Sequence, residues 1–243
     1  MTDTAASVPA ATEAHKGLLA RVIGVVVSPR ATFADVAARP RSLGVLALCM
    51  AVVISGVFVL LSTDVGREAS LDQQERTLES FGVKLNDAQY AQLEARADNA
   101  RYWAAAGQLV GIPVVALILS GILLGVFNAI LGGDATFKQA FSVVAHTGVI
   151  TALATAFTLP LDYVRETMSS PTNLGVFVPF LDEASFLSRL LGSIDLFQIW
   201  ALVTLSIGLG VLYKRRTGPI ATGMLMVYAV IVLAVAAIRS ALS

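Results

Sequence analysis

The polar side chains in this sequence that could best take part in binding or proton transfer are Gln139, Ser142 and His146, which interrupt a long apolar stretch. Their spacing of three and four residues places them on one face of a helix. An ionisable group inside an apolar stretch is a functional candidate, and imidazole titrates near neutral pH. Three interpretations of His146 are open: a neutral packing histidine, a contact to a lipid headgroup or partner, and a proton relay. With Asn128, these residues are the candidate binding residues.

Catalytic and metal chemistry find no support in the residue pattern. The apolar stretches contain no paired carboxylates, no Ser/His/Asp set, no HExxH run and no Gly-rich phosphate loop. No Cys, His, Asp or Glu residues cluster at metal-ligand spacing, and the single cysteine, Cys49, lies in an apolar run typical of a buried hydrophobe. We therefore predict no catalytic residue, no metal and no cofactor, and a protein that is not an enzyme.

The elements that position the candidate residues follow from composition. Of 243 residues, 56% are hydrophobic and 14% are charged, and the mean hydropathy is +0.75, which is typical of an integral membrane protein. Five stretches are long and apolar enough to cross a membrane as helices: Leu43–Ser62, Gly107–Leu131, Ala140–Pro160, Leu196–Tyr213 and Pro219–Ile238. We predict an all-α, polytopic membrane protein in contact with lipids, with one five-span domain over residues 43–238. The zero net charge gives no indication of nucleic-acid binding.

The distribution of basic residues predicts how the spans are oriented. Lys214, Arg215 and Arg216 lie in the short link between the fourth and fifth spans, where their charges are costly to translocate. The N-terminus is therefore predicted in the cytoplasm and the C-terminus outside. The first long apolar run begins near Leu43, which is too late for a secretory signal peptide.

The segment at 17–42 is predicted to form cytoplasmic interfacial helices. Ser28 followed by Pro29 is typical of a helix start, with serine as the N-cap and proline at the first helical position. Phe33 and Val36 then share one face of that helix, which predicts a short helix on the inner leaflet with arginines at the lipid headgroups.

Three further segments lie outside the predicted spans. Residues 1–16 are rich in Ala, Thr and Pro without an apolar period, and are predicted to be a disordered tail. The acidic outer loop at 63–104 is predicted to contain two amphipathic helices, one of them beginning at Asn86 or Asp87. The outer loop at 161–194 contains prolines and a glycine and is predicted to lack long regular structure.

Two helix faces carry small or weakly polar residues. In the second span, two GxxxG pairs share a face that lets a neighbouring helix approach closely: Gly107, Gly111, Gly121 and Gly125. In the third span, a stripe of threonines shares another face: Thr147, Thr151, Thr155 and Thr158. We interpret the glycines as a helix-packing face and the threonine hydroxyls as satisfied on their own or a neighbouring helix. A substrate path or polar passage is the alternative for both faces.

The turn GGDATFKQA, residues 132–140, separates the second and third spans. Gly132 and Gly133 with Asp134 are typical of a tight turn, and Thr136 with Gln139 matches a capping box at the start of the third span. Most of the polarity of this turn is therefore predicted to be helix-start chemistry.

Three segments of this chain resemble the bacterial branch of the Yip proteins, which are named for eukaryotic members that interact with Ypt/Rab GTPases. The segments are RVIGVVVSPRATFADVAARP, GGDATFKQAFSVVAHTGV and IDLFQIWALVTLSIGLGVLYKRRTGPIATGMLMVYAVI. The resemblance implies a multi-pass helical membrane protein, with eukaryotic relatives in vesicle traffic and membrane organisation, and it transfers no catalytic residue. The long acidic outer loop departs from the short links of eukaryotic members. The Ala- and Arg-rich composition, with only four lysines, favours a bacterial cytoplasmic (inner) membrane.

Two functional hypotheses follow. The first is a non-enzymatic membrane protein that acts in membrane organisation or trafficking by binding lipids or protein partners, including its own copies through the Gly-rich helix faces. The alternative is a transporter or channel for a small or amphiphilic solute, lined by the polar faces of the third span. Five spans are unusual for a carrier built from inverted repeats, which needs matching halves.

Overall fold

The structure, a computed structural model, describes residues 17–182 and 185–242, and all regular secondary structure in these ranges is helical. Its α-helices run in chain order as α1 Leu18–Val27, α2 Pro29–Ala38, α3 Leu43–Leu60, α4 Asp64–Glu79, α5 Asp87–Ala97, α6 Ala100–Leu124, α7 Phe137–Val164, α8 Phe186–Gly192, α9 Leu196–Leu212 and α10 Thr217–Leu242. A π-helical segment, Gly125–Ile130, extends α6, and a short 3-10 helix, Leu174–Phe177, precedes α8. The predicted tail at 1–16 lies outside the described residues.

Four helices in the described ranges are long and apolar enough to cross a membrane: α3, α6 with its extension, α7 and α10. The prediction of an all-helical, multi-pass membrane protein is therefore confirmed. α9 is also apolar, but its 17 residues fall below that length. They extend about 26 Å, slightly less than the roughly 30 Å of a hydrocarbon core. α9 packs between α7 and α10, as a further span would. Because it is shorter than the other four, a fifth span stays a prediction.

α7 forms the centre of the bundle and packs against α3, α6 and α9 and against the N-terminal α1 and α2. In the most apolar 18-residue stretch of α7, 56% is buried, whereas the corresponding stretches of α3, α6 and α10 are only 11% to 22% buried. α3 runs from α2 at one end of the bundle to α4 at the other. We call these the α2 end and the α4 end.

The predicted helices before the first span are present, but the apolar face of α2 contacts protein rather than lipid. Phe33 and Val36 are fully buried in a cluster with Val143 of α7 and Leu209 of α9. Gly208 makes room for this contact, because an added Cβ would lie 2.6 Å from a Val143 methyl and 3.1 Å from the Phe33 ring. The interfacial position of α1 and α2 therefore stays a prediction for their outer faces only.

The outer loops contain short helices. α4 and α5 occupy the loop predicted at 63–104, and α5 begins with Asn86 as its N-cap in a capping box with Gln89. The loop predicted at 161–194 contains the last turn of α7, the short 3-10 helix and the seven-residue α8 among its described residues.

The turn between α6 and α7 has the predicted local structure. Gly132 adopts a φ of +69°, in the left-handed region that favours glycine. The Gly133 N–H donates to the carbonyl oxygen of Phe127 at 2.8 Å. The capping box is present at the start of α7, with Thr136 accepting from the Gln139 N–H and Gln139 accepting from the Thr136 N–H at 2.9 Å. This turn sets where the polar face of α7 begins.

Candidate functional site

His146 lies at the centre of the candidate site and is fully buried. Its Nδ1 is 2.7 Å from the carbonyl oxygen of Ser142, one helical turn earlier. A carbonyl oxygen can only accept, so Nδ1 carries the proton in this contact. His146 Nε2 is then left as a buried atom with no hydrogen-bond partner among the described residues.

Ser142 adds a second unsatisfied atom beside His146. Its side chain is fully buried, and its Oγ has no hydrogen-bond partner in the described part of the chain. Buried polar groups without partners are rare in folded proteins, because desolvation costs free energy that no hydrogen bond returns. The predicted polar face is thus closed off from solvent but not fully paired.

Arg21 and Asp35 form an ion pair next to this face. Arg21 Nε lies 2.8 Å from Asp35 Oδ2, and the side chains are only 3% and 19% exposed. The Arg21 guanidinium also donates to the carbonyl oxygen of Arg39 at 3.1 Å. The helices that carry this pair, α1 and α2, both pack against α7. No pattern in the sequence predicted this pair, although an arginine within the apolar run of α1 was a possible signal.

Gln139 connects two helices at the α2 end. Its Nε2 donates to the carbonyl oxygen of Ala37 at 3.0 Å, while its Oε1 accepts from the Thr136 N–H. One amide side chain therefore joins the end of α2 to the start of α7. The structure thus brings Gln139, Ser142 and His146 together on the α7 face that α1 and α2 cover.

Asn128 lies apart from that face. It belongs to the π-helical segment, and its Nδ2 donates to the carbonyl oxygen of Ala135 at 2.8 Å. This contact holds the α6–α7 turn, while Asn128 Oδ1 is buried without a partner among the described residues. The structure therefore does not join Asn128 to the other candidate binding residues.

The predicted glycine face of α6 meets no other helix in the described chain. A Cβ added at Gly107, Gly111, Gly121 or Gly125 has no neighbour within 4 Å. α6 instead packs with its opposite side, where Ala116, Ser120 and Leu123 are buried. Helix packing through the glycines stays a prediction, and it now concerns a helix of another molecule.

The threonine face of α7 is divided. Thr147 and Thr155 donate to the carbonyl oxygens one turn earlier, at 3.0 Å and 3.1 Å, as the packing interpretation predicts. Thr151 is exposed, and its hydroxyl makes no hydrogen bond in residues 17–182 or 185–242. These threonines border a cleft of about 610 Å³ between α3, α6, α7 and α9.

A second polar group, which sequence analysis did not identify, surrounds Asp195 at the α4 end. Its Oδ2 accepts from the hydroxyls of Ser170 and Thr172 at 2.5 Å and 2.7 Å, and its Oδ1 accepts from the backbone of Phe197 and Gln198. Burial raises the pKa of Asp195, but these hydrogen bonds to the carboxylate outweigh it and hold the pKa below its usual value. The group fastens the loop to the start of α9, so we interpret it as structural.

Among the described residues, no three His, Cys, Asp or Glu side chains are placed to hold a metal ion. The polar groups are instead distributed between the face covered by α1 and α2, the α6–α7 turn and the Asp195 group.

Comparisons with known proteins identify a family and a relative that each match most of the chain. The Yip1 domain family model matches residues 23–238, which extend from α1 into α10. The "Membrane protein YknW" of Bacillus subtilis is 26% identical over 194 residues, which is 77% of this chain and 76% of that protein. No solved structure matches.

Proposed function

The chain belongs to the Yip1 family, and from this premise we propose that it is a non-enzymatic membrane protein that acts by binding other membrane components. The binding partners are lipids and the transmembrane helices of proteins, including further copies of this chain. The role is one in membrane organisation, of the kind that the trafficking proteins of the family perform.

The open glycine face of α6 is the observation that carries the proposal. Four glycines and the exposed Val114 and Ile118 follow one side of a membrane-length helix, and the described chain leaves all four glycines uncovered. In a bilayer, hydrophobicity does not drive helices together, so association depends on close backbone approach at small residues. This face therefore suits a helix of another molecule.

The polar candidates contact the interior of the bundle, which leaves the α6 face as the proposed binding surface. Gln139 and Asn128 donate to backbone carbonyl oxygens, and His146 is enclosed beneath α1 and α2. No observation on the described residues favours the solute-transport alternative. We place the protein in a bacterial cytoplasmic membrane with its N-terminus inside and its C-terminus outside, on the strength of the basic link at 214–216.

Self-association in liposomes tests the proposal. Donor- and acceptor-labelled copies are reconstituted at increasing dilution in lipid, and energy transfer between them is measured. The double variant Gly121→Leu with Gly125→Leu should lose about tenfold or more in association, because leucine side chains prevent close approach. The variant should keep its fold, since an added Cβ meets nothing within 4 Å at either position.

Gly223→Leu is the matched control, because this α10 glycine is exposed and also has no neighbour within 4 Å. It should associate like the wild type. A wild type that stays monomeric at high protein density, or a double variant that associates unchanged, would contradict the proposed α6 contact.

A further inference from the structure

The cleft between α3, α6, α7 and α9 has the dimensions of a ligand site within the membrane-embedded part of the bundle. Its volume of about 610 Å³ lies within the range of roughly 300–1,000 Å³ usual for small-molecule sites. At the α2 end, α6 with its extension and α9 both contribute to the cluster around Phe33, through Leu123 and Phe127 on one side and Leu205 and Leu209 on the other. Towards the α4 end the cleft lies between them, bordered by residues 108–119 and 198–205.

α7 forms the floor of the cleft, and its small side chains there leave space for a ligand. Ala145 and Gly148 line it beside the threonines, and a Cβ added at Gly148 would reach only Cys49 Sγ, at 4.0 Å. Most of the lining is aliphatic, and none of the lining residues is Asp, Glu, Lys or Arg. The body of the cleft therefore suits an uncharged hydrocarbon chain.

One end of the cleft carries uncharged hydrogen-bonding groups without partners. Gln108 and Gln198 stand in opposite walls near the start of the predicted second and fourth spans, so both lie towards the α4 end. In the described chain, neither amide side chain makes a hydrogen bond, and neither does the hydroxyl of Thr151. A polar ligand group at this level would find both donors and acceptors.

A neighbouring cavity extends this polar end. It has a volume of about 400 Å³, shares Thr151, Gln198 and Ala201 with the cleft, and is also lined by Ser193, Asp195 and Tyr228. Both carboxylate oxygens of Asp195 already accept hydrogen bonds from the loop and from the start of α9. The combined space is apolar along its length and polar at the α4 end, which matches the shape and polarity of an amphiphile.

We propose that this cleft binds one amphiphile, with its hydrocarbon chain between α6 and α9 and an uncharged, hydrogen-bonding head at Gln108, Thr151 and Gln198. Hydroxyl, ester and amide heads share this chemistry. The inference rests on the lipid-binding part of the proposed function and names its site. A phosphate-bearing head finds no positive lining residue to pair with it. A helix of a second copy satisfies its own backbone hydrogen bonds, so it would leave these three polar groups unpaired.

Photolabelling of the full chain in phosphatidylcholine liposomes tests the site. The probe is a monoacylglycerol with a diazirine in its acyl chain, and labelled positions are mapped by mass spectrometry. Labelling should be saturable, fall on cleft residues of α6, α7 and α9, and be displaced by unlabelled monoacylglycerol. A phosphatidylcholine probe with the same diazirine-bearing chain should not saturate there.

Two sets of variants distinguish binding of the hydrocarbon chain from binding of the head group. Gly148→Leu fills the floor of the cleft and should lower labelling about tenfold. Thr151→Val with Gln198→Leu removes head contacts and should weaken displacement by monoacylglycerol about tenfold, while displacement by a plain alkane stays unchanged. Gly223→Leu, outside the cleft, should label like the wild type. If Gly148→Leu does not fold, the head variant decides the question, because it leaves the floor intact.

Three results would overturn the inference. Equal labelling by both probes would mean that bulk lipid fills the cleft. Unchanged labelling in both variant sets, or cross-links to a second copy of α6 inside the cleft, would also contradict it. The Gly121→Leu, Gly125→Leu variant separates this test from the previous one, since it should still bind the amphiphile. Loss of amphiphile binding with intact self-association contradicts only the cleft site, and the reverse contradicts only the α6 contact.

Discussion

Arg21 Nε lies 2.8 Å from Asp35 Oδ2, and this contact joins α1 to α2 over the buried face of α7. The two residues are 14 positions apart, on different helices of the N-terminal segment. Arg21 is almost fully buried, so Asp35 supplies the counter-charge to a guanidinium that water hardly reaches.

Asp35→Asn should destabilise the protein strongly. The substitution leaves the Arg21 charge buried without its counter-charge, and breaking a buried pair in this way costs about 3–5 kcal/mol. The free energy of unfolding in mixed detergent micelles measures the loss. Asp64→Asn is the control, because the exposed Arg67–Asp64 pair should contribute at most about 1 kcal/mol. Equal losses in the two variants would show that Arg21 and Asp35 do not act as a buried pair.

Gly208→Ala should destabilise the contact between α2 and the bundle by about 1–3 kcal/mol, because the new methyl group overlaps Val143 and Phe33. Gly223→Ala should instead be neutral or stabilise by up to about 1 kcal/mol, since alanine favours the helix and has open space there. Thermal unfolding compares the two variants. Adding Phe33→Leu to Gly208→Ala should recover part of the loss, and no recovery would contradict the proposed overlap with the ring.

Asp195→Asn should lower stability at neutral pH by about 1 kcal/mol, because the amide that replaces Oδ2 no longer accepts from Ser170 and Thr172. The carboxylate has a lowered pKa in the folded state. Its contribution is therefore complete above the unfolded value of about 3.9 and disappears as the pH falls through the folded pKa. The difference between wild type and variant should shrink below about pH 4.

Unfolding free energies measured from pH 7 down to pH 3 test this sign. Asp72→Asn is the control, because the Asp72 side chain is exposed on α4 and makes no hydrogen bond or ion pair in the described chain. Its difference from wild type should stay near zero throughout. If the stability difference between wild type and Asp195→Asn grew as the pH fell, the lowered pKa of Asp195 would be contradicted.

Single-cysteine labelling tests the orientation and the number of spans. In a Cys49→Ala background, Gln74→Cys and Ser240→Cys should react with a membrane-impermeant maleimide in intact spheroplasts, and Arg216→Cys only after permeabilisation. All three native positions are exposed. Protection of Ser240→Cys alone would indicate that the chain crosses the membrane an even number of times, which would contradict the fifth span.

The accuracy of the sequence predictions depends on how far apart the interacting residues lie. The capping box of Thr136 and Gln139 and the left-handed Gly132 were predicted, because each depends on a few consecutive residues. Gln139 also donates to Ala37, 102 positions away, and that contact had no local signal.

The glycine face of α6 illustrates the same division. The spacing predicted a face suited to close helix contact, but a pattern on one helix does not specify which neighbour covers it. The chain packs α6 through Ala116 and Leu123 on the opposite side, leaving the glycines open. Only the packing of α3 and α7 against α6 decided this.

By itself, the sequence determined the membrane class, the helical architecture, the family resemblance and the helix-start chemistry, because these depend on composition, periodicity and short-range hydrogen bonds. The tertiary structure alone decided that Arg21 and Asp35 form a buried pair between α1 and α2, that α2 packs Phe33 against Gly208, and that α3, α6, α7 and α9 leave a cleft with a polar end. These features arise from contacts between distant segments, whose geometry is set by how the helices pack as a whole rather than by any one stretch of the chain.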